Sequence, residues 1–238
     1  MRALELLSVK IFADGADLPN MLRLYQEPHI KGFTTNPTLM RKAGITDYRA
    51  FAADVLKAIP DRPVSFEVFS DDFAEMERQA HEIASWGTNV YVKIPVTNTR
   101  QEPSTKLVRR LTCAGVKVNV TAVFSLPQVL EVTTALKGGA PACVSVFAGR
   151  VADTGHDPVP LMAAAVEMLR VTPNAELIWA SPRELLNVFQ ANDIGCHIIT
   201  VTHDILSKLS LVGRRLEDYS LDTVKMFYND VAQAGFAL

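Results

Sequence analysis

Eight short apolar runs rich in Val, Ile and Phe recur along this chain with helical stretches between them. That alternation is the pattern of successive βα units, and it constrains the fold more than any other feature. The runs are Val9–Ala13, Gly32–Thr35, Val64–Phe69, Val90–Pro95, Lys117–Phe124, Cys143–Ala148, Glu176–Ala180 and His197–Val201. Near-continuous apolar, β-branched runs of this kind mark strands covered on both faces, as in a parallel sheet. Asp47–Ile59, Asp71–Trp86 and Asp157–Val171 read as helices, the last opening with Asp-Pro, and Pro182 and Arg183 open another. Leu221–Phe236 follows the last unit with apolar residues at helical spacing.

Eight parallel strands with outer helices predict an α/β fold, a single (β/α)8 TIM barrel, although an open doubly wound sheet has a similar length. The 238 residues suit one barrel domain, 1–238, with an additional C-terminal helix at about 220–236. Hydrophobic residues make up 48% and charges 21%, enough apolar surface for a large core and no disordered signature. The formal net charge of −2 gives no general attraction to nucleic acid or anionic membrane, so any anion site must be local. Cys113, Cys143 and Cys196 are far apart with no Cys-x-x-Cys spacing and read as small buried hydrophobes. No histidines pair at metal-ligand spacing, so no metal is expected. Met1–Lys10 lacks a signal-peptide pattern and no apolar stretch approaches a membrane span, which gives cytoplasmic residence as the expectation.

A barrel builds its active site at the C-terminal ends of its strands, so polar residues that close an apolar run are the candidates. Lys93 stands out. It sits in Asn89-Val-Tyr-Val-Lys-Ile-Pro-Val-Thr97, where an ammonium is costly unless the surroundings neutralise it or give it work, and desolvation favours the free amine. A free amine attacks carbonyls, which suggests Schiff-base chemistry; the plainer reading is a strand-end ion pair with a carboxylate. The other strand ends offer Asp14, then Thr34, Thr35 and Asn36, then Glu67, Asn119 and Thr121, Ser145 and Arg150, and finally Ser181 and Arg183.

These parts complement one another. Lys93 can form an iminium with a ketose and act as an electron sink while the neighbouring C–C bond breaks. Asp14 can take the hydroxyl proton of the departing aldehyde, and Glu67 with Thr121 can hold a water that shuttles protons. Asn36, Asn119 and Ser145 would fix hydroxyls. Arg150 and Arg183, with Ser181 near a helix start, would hold a phosphate. Each has a plainer role: Asp14 caps an Asp-Gly turn, Glu67 pairs with Lys93, Thr34 and Thr35 satisfy strand-end backbone, Asn36-Pro37 is a turn dipeptide, and the arginines lie on the rim.

Taken together, these residues resemble the transaldolases with their fructose-6-phosphate aldolase branch, over nearly the whole chain. Phe33-Thr-Thr-Asn-Pro-Thr38 is similar to the family's strand 2 signature, and Val92-Lys-Ile-Pro-Val-Thr97 to its Schiff-base lysine signature. Asn119-Val-Thr-Ala-Val-Phe-Ser125, Ser145-Val-Phe-Ala-Gly-Arg150 and Ala180-Ser-Pro-Arg183 resemble the later motifs. The resemblance implies Lys93 as nucleophile, a cofactor-independent reaction and sugar phosphate substrates. It also implies a homo-oligomer, a decamer of two five-membered rings in the small subfamily, with the C-terminal helix reaching a neighbour. Transaldolases carry Glu and Phe where the aldolases carry Gln and Tyr, so Glu67 and Phe147 imply transfer of a dihydroxyacetone unit rather than its release. Two positions depart from the pattern: Gly15 follows Asp14 where the family has Thr or Ser, and Pro182 replaces a Phe. The rivals are a cleaving aldolase of the same barrel and a noncatalytic sugar-phosphate-binding barrel.

Overall fold

The computed structural model describes residues 6–235. Eight parallel strands, β1 (Lys10–Asp14), β2 (Ile30–Thr34), β3 (Val64–Glu67), β4 (Val90–Pro95), β5 (Val118–Val123), β6 (Ala142–Val146), β7 (Ala175–Trp179) and β8 (Ile198–Thr202), pair in sequence order into a closed barrel. The pairing of β1 with β8, from Lys10↔Ile198 to Asp14↔Thr202, closes the ring and removes the open-sheet alternative. It is a TIM barrel.

The helices that clothe it are α1 (Leu18–Tyr25), α2 (Pro37–Lys42), α3 (Tyr48–Ala58), α4 (Phe73–Ala84), α5 (Thr105–Cys113), α6 (Leu126–Leu136), α7 (Ala148–Asp153), α8 (Pro158–Leu169), α9 (Leu186–Asp193) and α10 (His203–Leu206), with α11 (Leu216–Ala234) beyond the last strand. Several starts are fixed locally by side-chain caps on otherwise orphaned N–H groups. Asp47 accepts from the Ala50 N–H, Asp72 from Glu75 and Asp157 from Val159, while Ser125 and Gln128 form a reciprocal capping box.

Element ends differ from the sequence reading where a local hydrogen bond or turn competes with apolar patterning. β2 begins at Ile30, β3 stops at Glu67 short of Phe69, and β6 stops at Val146 because Ala148 already begins α7. Pro182 and Arg183 do not open a helix. The Asn187 Oδ1 accepts from the Arg183 and Glu184 N–H groups and holds a turn ahead of α9. α11 starts at Leu216 and ends at Ala234, with Gly235 in the left-handed conformation as its cap; Phe236 lies outside the described residues. Cys143 and Cys196 are buried, but Cys113 is exposed at the end of α5, so it is not the small core residue its composition suggested.

Two apolar clusters divide the interior by strand face. Val64, Phe66, Val92, Ile94, Val118, Val120, Val144, Val146, Leu177, Trp179, Ile199 and Val201 point outward into the shell of helices. Phe12, Cys143, Ile178 and Ile198 form a second cluster inside the barrel, with Tyr91 packed against it. Gly32 belongs to this inner layer, since a Cβ there would lie 2.6 Å from the Phe12 ring. The interior is therefore plugged from below. Among the described residues no helix is long and apolar enough to cross a membrane.

Candidate active site

Side chains repeat every second residue along a strand, so the residues two beyond the inner apolar layer form the next layer up. Phe12 leads to Asp14, Gly32 to Thr34, Ser65 to Glu67, Tyr91 to Lys93, Asn119 to Thr121, Cys143 to Ser145, Ile178 to Ala180 and Ile198 to Thr200. Ser65 and Asn119 already bring polar groups into the lower layer, and in the upper one every residue but Ala180 is polar. All eight of these upper residues line one cleft of about 520 Å³ at the C-terminal end of the barrel, together with Asn36, Lys42, Phe147, Arg150 and Ser181.

Lys93 is buried, 6% exposed, on the cleft floor. Its Nζ lies 3.2 Å from Glu67 Oε2 and donates to the Thr35 carbonyl at 2.9 Å. The pairing Glu67↔Lys93 across β3 and β4 sets that contact. The ion pair foreseen as the plainer reading is present, and it faces the cleft.

Asp14 sits across the floor. Burial pushes its carboxyl above the usual carboxylate range, against the opposing pull of the Lys93 charge and the Thr34 hydrogen bond. Thr34 Oγ1 donates to Asp14 Oδ1 at 2.8 Å and lies 2.5 Å from Thr200 Oγ1. Thr121 Oγ1 is buried and has no hydrogen-bond partner among the described residues, which suits a hydroxyl meant for a bound molecule. A register irregularity follows it in β5, where Ala122 takes φ 58°.

Asn119 lies beneath the cleft. Its Nδ2 donates to Ser65 Oγ at 3.1 Å, and its Oδ1 accepts from Ser145 Oγ at 2.7 Å, so it orients Ser145 from below. Asn36 lines the cleft while its Oδ1 caps α2 at the Leu39 N–H, the role expected of Asn ahead of Pro. Thr35 turns away and donates to the Ser65 carbonyl at 2.8 Å.

The two arginines part company. Arg150 is exposed at the rim, its guanidinium 5.4 Å from the Phe147 ring centre. Arg183 lies behind Ser181: its Nη1 donates to Ser181 Oγ at 3.2 Å, while Nε and Nη2 are bound to Asp153. Ser181 itself takes φ 60° and packs its carbonyl so close to Gly149 that no Cβ fits there. Sequence reading missed Thr200, Ser65 and Lys42. Thr200 had a signal, a hydroxyl between apolar neighbours in Ile198-Ile-Thr-Val-Thr202; Lys42 on α2 had none.

The family model described as Transaldolase/Fructose-6-phosphate aldolase matches residues 11–238. The chain belongs to the transaldolase/fructose-6-phosphate aldolase family. It is 37% identical over 202 residues to a probable transaldolase of Dehalococcoides mccartyi, covering 84% of this chain and 90% of that protein. A probable transaldolase of Herpetosiphon aurantiacus is 32% identical over 227 residues, 95% of this chain and 97% of that one. Among solved structures, 3-hexulose-6-phosphate synthase from Salmonella typhimurium superposes with a TM-score of 0.58 at 16% identity, covering 86% of this chain and 94% of the other. At that identity the likeness speaks for the barrel alone. In this family a transaldolase-type enzyme is the assignment, and the cleft is where its chemistry must be sought.

Proposed function

We propose that the protein is a transaldolase that moves a dihydroxyacetone unit from a ketose phosphate, sedoheptulose 7-phosphate or fructose 6-phosphate, to an aldose phosphate through a Schiff base on Lys93. The observation that carries this reading is a buried amine paired with Glu67 on the floor of an open polar cleft. Lys93 attacks the ketose carbonyl, and the carbinolamine loses water to give an iminium. Glu67 and Thr121 hold the water that carries protons in that dehydration. Asp14 then takes the hydroxyl proton next to the scissile bond. The C–C electron pair passes into the iminium, the aldose phosphate departs and an enamine remains. The enamine attacks the acceptor aldehyde, and hydrolysis frees the lysine.

Thr34, Asn36 and Ser145 serve the substrate hydroxyls, with Asn119 acting through Ser145 from below, and Arg150, Ser181 and Arg183 serve the phosphate. Phe147 has no donor with which to protonate the enamine, which supports transfer over release. The reaction needs no cofactor. None of the residues of α11 is buried, and Leu221, Val224, Phe227 and Val231 are exposed along it; this supports a single-domain subunit in a homo-oligomer, a decamer in the small subfamily, with α11 on its neighbour. Cytoplasmic residence goes with the same reading.

Borohydride trapping with a panel of ketose phosphates, read by intact mass and peptide mapping, tests the proposal. The expected result is one adduct on Lys93, lost in Lys93→Ala together with turnover. An adduct on another lysine, or full turnover in Lys93→Ala, overturns it.

A further inference from the structure

Beside β3 the barrel ladder is interrupted, and a side chain from a helix completes it. Along β2 and β3, the Phe33 N–H donates to the Pro63 carbonyl at 2.8 Å and the Thr35 N–H to the Ser65 carbonyl at 3.2 Å. The next step of a parallel ladder would set the N–H of position 37 on the Glu67 carbonyl and the Glu67 N–H on the Thr35 carbonyl. Position 37 is proline and has no N–H. The strand pairing stops at Thr34↔Ser65.

Tyr48, at the start of α3, fills both places. Its hydroxyl accepts from the Glu67 N–H at 2.8 Å and donates to the Glu67 carbonyl at 3.0 Å. The Thr35 carbonyl, relieved of its ladder partner, accepts from Lys93 Nζ instead. The phenol is held in place by Phe66, Phe69 and Trp86, whose ring centres lie 6.0, 4.5 and 5.5 Å from its own. It does not line the cleft.

We infer that Tyr48 is a positioning residue for the reaction: by replacing β2 as the partner of Glu67 it fixes the carboxylate and leaves the Thr35 carbonyl to aim the Lys93 amine. This rests on the proposed use of Lys93 as nucleophile. A hydroxyl suits the task because it donates and accepts at once, which the two orphaned groups of a single residue require. Burial raises the Tyr48 pKa, so the phenol keeps its donor proton across the working range.

The test compares Tyr48→Phe with Trp86→Phe, which alters the same aromatic cluster without touching Glu67. In Tyr48→Phe, kcat for transfer and the rate of borohydride-trapped adduct formation should both fall at least about tenfold, with KM for the donor within about twofold. Trp86→Phe should lower Tm while kcat stays near wild type. A Tyr48→Phe protein that loses Tm but keeps kcat and trapping rate overturns the inference. Hydrogen exchange covers a variant that fails to fold: in the wild type the Glu67 amide should be protected, and free exchange there overturns the inference too. A wild type that forms no Lys93 adduct would sink the proposed chemistry instead, a distinguishable result.

Discussion

Lys93 Nζ and Glu67 Oε2 stand 3.2 Å apart at the same level of adjacent strands, with side chains only 7% and 15% exposed. A pair this enclosed is costly to break from one side, because the remaining charge keeps its desolvation penalty. Glu67→Ala should therefore lose about 3 kcal/mol of stability, the lower end for a broken buried pair, since the Thr35 carbonyl still accepts from the amine. Lys93→Met with Glu67→Ala should recover part of that loss. Urea unfolding of the double-mutant cycle measures it, and strictly additive losses would mean the two groups do not interact.

Asp14 links stability to pH. Its carboxyl is raised by burial, so it binds its proton more tightly in the folded than in the unfolded chain. The stability it confers is full below its unfolded value of about 3.9 and is lost as the pH rises through the higher folded value. At neutral pH the buried Asp14 is a net burden, because the unfolded chain gives up its proton more readily than the folded one. Asp14→Asn should raise Tm at pH 7, the gain shrinking as the pH is lowered toward about 4, while kcat falls about a hundredfold or more through loss of the base. Tm measured across that range checks the sign.

The phosphate end separates the arginines. Losing a charge-assisted contact costs on the order of 1.5–3 kcal/mol, roughly ten- to a hundredfold in kcat/KM. Arg150→Ala should show that loss with phosphorylated substrates and far less with unphosphorylated ones. Arg183→Ala should show a smaller loss, since Asp153 already occupies two of its nitrogens. Equal losses on both substrate types would make the arginines structural.

Phe147→Tyr should shift the enzyme from transfer toward cleavage, because a phenol there can position a water or protonate the enamine. The readout is free dihydroxyacetone from fructose 6-phosphate without acceptor. Wild type releasing it as fast as it transfers would identify an aldolase.

Packing beneath the site is tight at one glycine and open at another. Gly32→Ala should cost about 1–3 kcal/mol, since the new methyl meets the buried Phe12 ring at 2.6 Å. Gly15→Ala meets nothing within 4 Å and should change stability little. Denaturant midpoints compare them directly.

The sequence by itself determined eight βα units and most of the cleft, while the closure of β1 on β8 was decided by the tertiary structure. Eight apolar runs separated by helical stretches specify βα units locally, and polar residues that close the first seven follow from where those runs end. Lys93 was legible because a cation in a β-branched run needs a reason. Only the tertiary structure decided what meets what. Strands apolar on both faces carry no alternation to tell inside from outside, so neither the plug of Phe12, Cys143, Ile178 and Ile198 nor Thr200 above it could be read with certainty of place. The binding of Arg183 to Asp153, and of Tyr48 to both backbone groups of Glu67, joins residues 30 and 19 positions apart. Such contacts arise from ring closure and helix docking, and pairwise distances of that kind leave no trace in local pattern.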